Sequence, residues 1–418
     1  MTELIDKLDR LEAQFETREA HVLAFVPEEQ RIQRLRREAL ALLEQYPDSR
    51  NRPAMFGLLV GVKDIFHVAE FTTRAGSRLP AHLLAGPQAE AVTLLRSAGA
   101  LIIGKTVTTE FAYFGPGPTH NPNNPLHTPG GSSSGSAAGV AAGLCELALG
   151  TQTIGSIIRP AAFCGAIGFK PSYDRVSREG VIPLSPSLDH VGWFSMYLVQ
   201  ITQAAAVLCN NWTPSPEVDR PVFGIPVGPY LEQLSPEGRA HFSQAVRHIG
   251  HAGIVMKDVP VFDDLQAIRD RNQVILAKEA GAFHANWYRE YAGLYHPRTA
   301  ELIEQGLRIT DADYDLAKSG QFALRQSMIA LMQAEQIDCW LAPSALGSAP
   351  PGLESTGDPA MNLPWSQAGL PCLGLPAGRN REDLPLGVQL VGGWWQDERL
   401  LAWANRLDRS LAGFTFQD

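Results

Sequence analysis

The sequence predicts a single large α/β domain in which a mixed central sheet is covered by helices on both faces, and three observations carry that reading. The chain has 418 residues, 45% hydrophobic and only 19% charged, which is enough apolar material for one large core. Two apolar runs, Gly57-Leu58-Leu59-Val60-Gly61-Val62 and Ala100-Leu101-Ile102-Ile103-Gly104, have the length and continuity of strands buried on both faces. Between them Glu90 to Ala98 has helical texture, and this alternation of strand and helix indicates a sheet covered on both sides.

Two amphipathic helices open the chain. Leu4, Leu8, Leu11 and Phe15 recur at helical spacing, and Ile32, Leu35, Ala39 and Leu42 repeat the pattern before Pro47. Residues 1–50 therefore read as an N-terminal helical segment capping the main body, with a homodimer contact through these helices as the alternative use. Residues 51–418 read as the catalytic domain. Within it, residues 115–135 concentrate Gly, Pro, Asn and Ser, so they predict a long loop of the kind that carries function. The apolar run from Ser136 to Leu149, interrupted by Glu146, is too short to cross a bilayer and reads as a buried helix. From about 213 to 340 the texture is more polar and helical, which predicts a subregion packed beside the sheet. Strand texture returns at Cys339-Trp340-Leu341-Ala342 and at Leu386-Gly387-Val388-Gln389-Leu390-Val391.

Composition excludes several classes of partner. The balance of 35 basic against 44 acidic residues gives a net charge of -9 with no basic tract, so neither nucleic acid nor an anionic membrane is an expected partner. Five cysteines, Cys145, Cys164, Cys209, Cys339 and Cys372, form no C-x-x-C pair and suit neither a disulfide framework nor a zinc site. With a charged N-terminus that lacks a signal peptide's apolar core, they predict a cytoplasmic protein. The eleven histidines are scattered without H-E-x-x-H context, and Gly57 to Lys63 has the wrong spacing for a phosphate loop, so no metal and no cofactor is expected.

The chemistry concentrates in two glycine-serine loops and one lysine. Gly130-Gly131-Ser132-Ser133-Ser134-Gly135-Ser136 and Gly150-Thr151-Gln152-Thr153-Ile154-Gly155-Ser156 are separated by the apolar run, and Lys63 lies in Gly61-Val62-Lys63-Asp64. The residues before Ser156 permit a tight turn whose backbone N–H groups point one way, as an oxyanion hole requires. A serine hydroxyl needs a base, and Lys63 serves only when neutral. Its neighbours Val60, Val62, Ile65 and Phe66 would lower its pKa by desolvation. Read singly, each feature is an ordinary turn or an ion-paired lysine. In this order they point to amide hydrolysis.

On these residues the chain resembles the amidase signature family over nearly its whole length, from about His21 to Asp418. Supporting segments include Gly104-Lys105-Thr106, Pro160-Ala161-Ala162-Phe163-Cys164-Gly165, Gly168-Phe169-Lys170-Pro171-Ser172 and Pro186-Ser187-Leu188-Asp189-His190-Val191-Gly192. The resemblance implies that family's fold and its Ser-cisSer-Lys triad, with Ser156 as nucleophile, Ser132 as proton relay and Lys63 as base. It also implies a cis peptide before Ser132 and an oxyanion hole from the N–H groups of Thr153, Ile154, Gly155 and Ser156. Where most members read Thr-Asp-Thr-Gly-Gly-Ser-Ile-Arg, this chain has Gln152 in place of the aspartate and Ile154 in place of a glycine, and its arginine falls one residue later, at Arg159. The shifted arginine is similar to a subgroup that includes malonamidase-type enzymes, in which an arginine near the nucleophile binds a substrate carboxylate. A pairing of Arg159 with an internal carboxylate is the alternative.

The implied function is cleavage of the C–N bond of a small linear amide, with a carboxylate or a urea-like far end, through a serine acyl-enzyme. Expected substrate contacts are Arg159, Gly131, Pro129, Tyr113 and Gln152, in a pocket built around Phe111, Tyr113, Phe114, His127, Pro129, Asn362 and Trp365. Three other readings compete. The amidase component of a tRNA-dependent amidotransferase shares the triad but works with partner subunits. A non-catalytic scaffold would not need all three triad positions. Gly131-Ser132-Ser133-Ser134-Gly135 formally matches a G-x-S-x-G elbow with Ser133 as nucleophile, but His127-Thr128-Pro129-Gly130 reads as a turn where the elbow needs a strand.

Overall fold

Ten strands form one sheet among the residues described, which in this computed structural model are 2–215 and 220–417. They are β1 (Leu59–Lys63), β2 (Leu101–Thr106), β3 (Leu147–Gln152), β4 (Ile167–Lys170), β5 (His190–Ser195), β6 (Val222–Val227), β7 (Val255–Pro260), β8 (Cys339–Pro343), β9 (Cys372–Arg379) and β10 (Pro385–Gly392). Their spatial order is β2-β1-β3-β5-β4-β9-β10-β8-β6-β7. The pairs at each end, β1 with β2 and β3, and β6 with β7 and β8, are parallel, whereas β3 with β5 and the central ladder through β4, β9 and β10 are antiparallel. Every residue of β1, β2, β3 and β5 is buried. Because successive side chains leave a strand on opposite faces, that burial means both faces are covered, as the continuous apolar runs predict.

The two N-terminal helices, Thr2–Gln14 and Arg31–Gln45, form where the spacing places them, and Leu4, Leu8, Leu11, Ile32, Leu35 and Ala39 are buried in the chain's own main core. Arg34 of the second helix donates to the carbonyls of Ile102 and Ile103, which shields the outer edge of β2. Among the described residues no helix is long and apolar enough to cross a membrane. All five cysteines are free and buried.

Two sequence expectations are corrected. The run from Ser136 to Leu149 is not one helix: the helix Ser134–Ala141 stops before Gly143, a left-handed glycine, and β3 begins at Leu147. Periodicity alone does not separate a buried helix from a buried strand in so short an apolar run. The subregion at about 213–340 does hold the long helices Leu265–Tyr291 and Asp311–Ala334, yet it also supplies β6, β7 and the start of β8. It extends the sheet instead of lying beside it. β7 is an edge strand with most residues exposed, so its sequence lacks the apolar run that marks β1 and β2.

Candidate active site

Lys63 is the last residue of β1, and the parallel neighbour β3, with Leu149 opposite Val62, ends at Gln152. Both carboxyl ends open on the same edge of the sheet, the place where open α/β sheets bind ligands. Ser132 reaches that edge from the 113–133 loop, just before the helix Ser134–Ala141. This helix is buried throughout its first seven residues because small side chains let backbones close on it: a Cβ at Gly135 would lie 2.2 Å from the Ala24 carbonyl oxygen and 2.4 Å from the Val107 nitrogen. The Gly131–Ser132 peptide is cis.

Lys63 is wholly buried, and its Nζ donates to Ser132 Oγ at 2.8 Å and to Thr151 Oγ1 at 2.8 Å. Among the described residues no carboxylate lies within ion-pairing distance of it, since the neighbouring Asp64 is taken by Lys105 at 2.7 Å. Burial without a counter-ion disfavours the ammonium form and lowers the Lys63 pKa to about 7, opposed by the more distant charge of Asp189.

The turn after β3 is tied down from several sides. Gln152 Oε1 accepts from the backbone N–H of Ile157 at 2.8 Å and of Ile158 at 2.9 Å, capping the helix Ile158–Cys164, while its Nε2 donates to Ser366 Oγ at 2.8 Å. Thr153 Oγ1 donates to Asp189 Oδ1 at 2.6 Å. A Cβ at Gly155 would sit 2.5 Å from Asn362 Oδ1, so only glycine fits there. With the turn fixed this way, none of the backbone N–H groups of Thr153, Ile154, Gly155 and Ser156 donates to a protein acceptor among the described residues. They line a cleft of about 290 Å³ together with Ser132, Arg159, Ala112, Tyr113, Phe114, Leu184, Thr356 and Pro359. Ile154 is outside the left-handed region, so its side chain does not strain the turn.

Arg159 lies in the wall of this cleft at 1% exposure. Its Nη2 donates to the Gly131 carbonyl at 2.7 Å and to Thr356 Oγ1 at 3.0 Å, while Nε and Nη1 are buried with no protein partner. No carboxylate of the described residues pairs with it. Burial lowers its pKa to about 10, Asp358 opposing.

Of the residues expected from sequence, the cleft brings together Ser132, Ser156, the 153–156 turn, Arg159, Tyr113 and Phe114, with Lys63 reaching Ser132 from beneath. Others are placed elsewhere. Gln152 is corrected from a substrate contact to a capping residue, because all its bonds are made inside the protein. Pro129 is not in the cleft wall, and its carbonyl accepts from Cys164 Sγ. Gly131 contributes its carbonyl to Arg159. Phe111 packs in an aromatic cluster with His284, Trp287 and Tyr295. Trp365 packs in the core against Tyr230 and Trp340, and His127 binds the Ala349 carbonyl. Ser133, the elbow candidate, is buried with its Oγ bonded to the Thr151 backbone. Sequence reasoning missed Thr151, Leu184, Thr356 and Pro359. Thr151 lies beside a loop already singled out, but Leu184, Thr356 and Pro359 reach the site only through tertiary folding.

The comparisons with known proteins agree with this geometry. The amidase family matches residues 28–401 of the chain. The amidase-type component of glutamyl-tRNA(Gln) amidotransferase from Synechococcus sp. (strain WH7803) is 32% identical, covering 95% of this chain and 92% of that one. The putative amidase AmiD of Mycobacterium bovis (strain ATCC BAA-935 / AF2122/97) is 30% identical over 86% of this chain and 81% of its own. A solved structure described as an amidase superposes with a TM-score of 0.89 at 31% identity, covering 98% of this chain and 96% of the other. The chain belongs to the amidase family, hydrolases that act on C–N bonds.

Proposed function

We propose that the protein is a serine amidohydrolase that cleaves a small linear amide through an acyl-enzyme, releasing ammonia or an amine. The observation that carries this reading is the contact between a buried lysine of lowered pKa and Ser132, in a cleft where Ser156 lies beside four unfilled backbone N–H groups. Neutral Lys63 takes the proton of Ser132, which takes that of Ser156 as Ser156 Oγ attacks the amide carbon. The N–H groups of residues 153–156 receive the oxyanion. As the C–N bond breaks, the proton returns from Lys63 through Ser132 to the leaving nitrogen, and a water then hydrolyses the ester by the same relay.

The unfilled Nε and Nη1 of Arg159 favour a substrate whose far end is a carboxylate or a urea-like carbonyl, because a buried cation with open donors is matched best by an acceptor that brings charge or strong polarity. Screening purified protein for ammonia release from malonamate-like, urea-derived, aliphatic and aryl amides tests the proposal. Turnover of none of them by folded protein would remove it. The second reading, a component that supplies ammonia inside an amidotransferase, is favoured by the similarity to the glutamyl-tRNA(Gln) amidotransferase of Synechococcus. Co-purification of partner subunits, with activity only in their presence, would replace the first reading by the second.

A further inference from the structure

Asp189 is the one carboxylate whose charge is felt at Lys63, yet it touches neither Lys63 nor the cleft. Its Oδ1 accepts from Thr153 Oγ1 at 2.6 Å, and its Oδ2 accepts from the backbone N–H of Leu184 and of Ser185, both at 2.9 Å. It is 7% exposed, and among the described residues no lysine or arginine lies within ion-pairing distance of it. Asp189 lines a separate cavity of about 490 Å³ together with Thr151, Arg178 and His190. Any effect on the reaction must therefore pass through other groups.

The charged and titratable groups facing this carboxylate are otherwise engaged. Glu279, from the helix Leu265–Tyr291, accepts from Ser185 Oγ, from the Ser187 N–H at 3.0 Å and from Tyr314 at 2.6 Å. Arg178 pairs with Asp174 at 2.8 Å and reaches only the backbone carbonyl of Asp189. His190 is kept neutral by burial and binds the Gln152 carbonyl through Nδ1. On the β1 side Asp64 is neutralised by Lys105. Three donors with no cation leave Asp189 as an enclosed anion that looks across Thr151 and Thr153 toward the lysine.

We propose that Asp189 is a positioning residue of the reaction, anchoring the 153–156 turn through the Thr153 hydroxyl and holding up the proton affinity of Lys63 through its charge. This rests on the reading of Lys63 as base. Burial pushes the Asp189 pKa up to about 6, so it is ionised in the range where Lys63, with a pKa of about 7, loses its proton. Removing the negative charge makes the ammonium form of Lys63 harder to hold. Its deprotonation then moves to lower pH.

Asp189→Asn and Thr153→Val separate the two effects, read by the pH profile of kcat/KM and by the titration of the Lys63 side-chain nitrogen in ¹⁵N NMR. Asp189→Asn should shift both the rising limb and the nitrogen titration acidward by about one pH unit and lower the plateau by about tenfold. Thr153→Val, which breaks the anchor and keeps the charge, should lower the plateau and leave the limb in place, and Thr153→Ser should restore the plateau. Asp189→Glu keeps the charge and disturbs the geometry, so it should behave as Thr153→Val does and serves if the Asn variant does not fold. A nitrogen titration unmoved in Asp189→Asn, or a limb displaced in Asp189→Glu or Thr153→Val as far as the Asn variant is expected to displace it, overturns the proposal. A wild-type rate limb that does not follow the nitrogen titration would instead overturn Lys63 as base, and the nitrogen shift would still report on Asp189.

Discussion

Lys63 holds Ser132 through a 2.8 Å hydrogen bond inside a wholly buried pair, with no carboxylate beside the lysine to stabilise its charge. The direction of that bond is what pH controls. Above the Lys63 pKa of about 7 the amine is neutral and the Ser132 hydroxyl can donate to it, which is the arrangement proton removal from Ser156 needs. We expect kcat/KM to rise about tenfold per pH unit below about pH 7 and to flatten above it. Replacing Lys63 by Met should cost on the order of a thousandfold or more and abolish that limb. A variant that kept both rate and profile would require another base.

Ser156→Ala should abolish ammonia release and leave the fold intact. The site of the hydroxyl is a turn held by Gln152 and by the Thr153–Asp189 bond, and Ser156 itself belongs to neither anchor. Ser132→Ala should lose somewhat less activity, because the hole and the nucleophile remain while the relay is lost. Release rates and circular dichroism of the purified variants check both. Undiminished turnover by Ser156→Ala eliminates it as nucleophile.

The lowered pKa of Lys63 also makes a stability claim. The unfolded chain carries this proton up to about pH 10.5, whereas the folded chain has lost it above about 7, so between those values the unfolded state binds more protons. Stability from this group is therefore present at high pH and is lost as pH falls toward 7, by up to a few kcal/mol. Urea unfolding of wild type and Lys63→Met should show the wild type gaining on the variant between about pH 7 and about pH 10. Any constant offset comes from the two lost hydrogen bonds and does not affect the slope. Parallel curves would mean that Lys63 has an ordinary pKa.

Much of this architecture was legible in the sequence because it was local. The strands β1, β2 and β3 are continuous apolar runs, and the two glycine-serine loops announce tight turns by composition. The edge strand β7 was not legible, since a half-exposed strand of six residues has no apolar run to betray it. In the site, residues within the loops were found and their partners were not. Thr356 and Pro359 come from a segment some two hundred residues away and enter the cleft only because the sheet brings it there. Gln152 misled for a related reason: its place in the motif suggested contact with substrate, while its bonds turn inward to the N-terminus of a helix.

That inward turn gives a prediction of its own. Gln152→Ala leaves the Ile157 and Ile158 N–H groups without their acceptor and Ser366 without its donor in a fully buried position, a loss of about 1–3 kcal/mol. Gln152→Glu keeps the acceptor atoms but brings an unpaired buried charge, so it should be no better than Ala at neutral pH and should recover in acid, where a protonated carboxyl can again donate to Ser366. Thermal melting at several pH values distinguishes them. A Glu variant as stable as wild type at neutral pH would contradict this account of the residue.

Arg159 decides the class of substrate. Its Nη2 is spent on Gly131 and Thr356, and those bonds hold the guanidinium while Nε and Nη1 stay open in the wall of the cleft. A planar cation so fixed binds a carboxylate with defined geometry, which a lysine on a flexible stem does not reproduce. Arg159→Lys should therefore raise KM about ten- to a hundredfold for amides ending in a carboxylate and change KM for neutral aliphatic amides little. Should the arginine act only as a strut for the Gly131 carbonyl, the substitution would lower the melting temperature and reduce turnover of acidic and neutral amides alike. Steady-state kinetics on one acidic and one neutral amide of equal length, with a melting curve of the same preparation, separates these outcomes. A loss confined to the acidic amide assigns the open edge of the guanidinium to substrate.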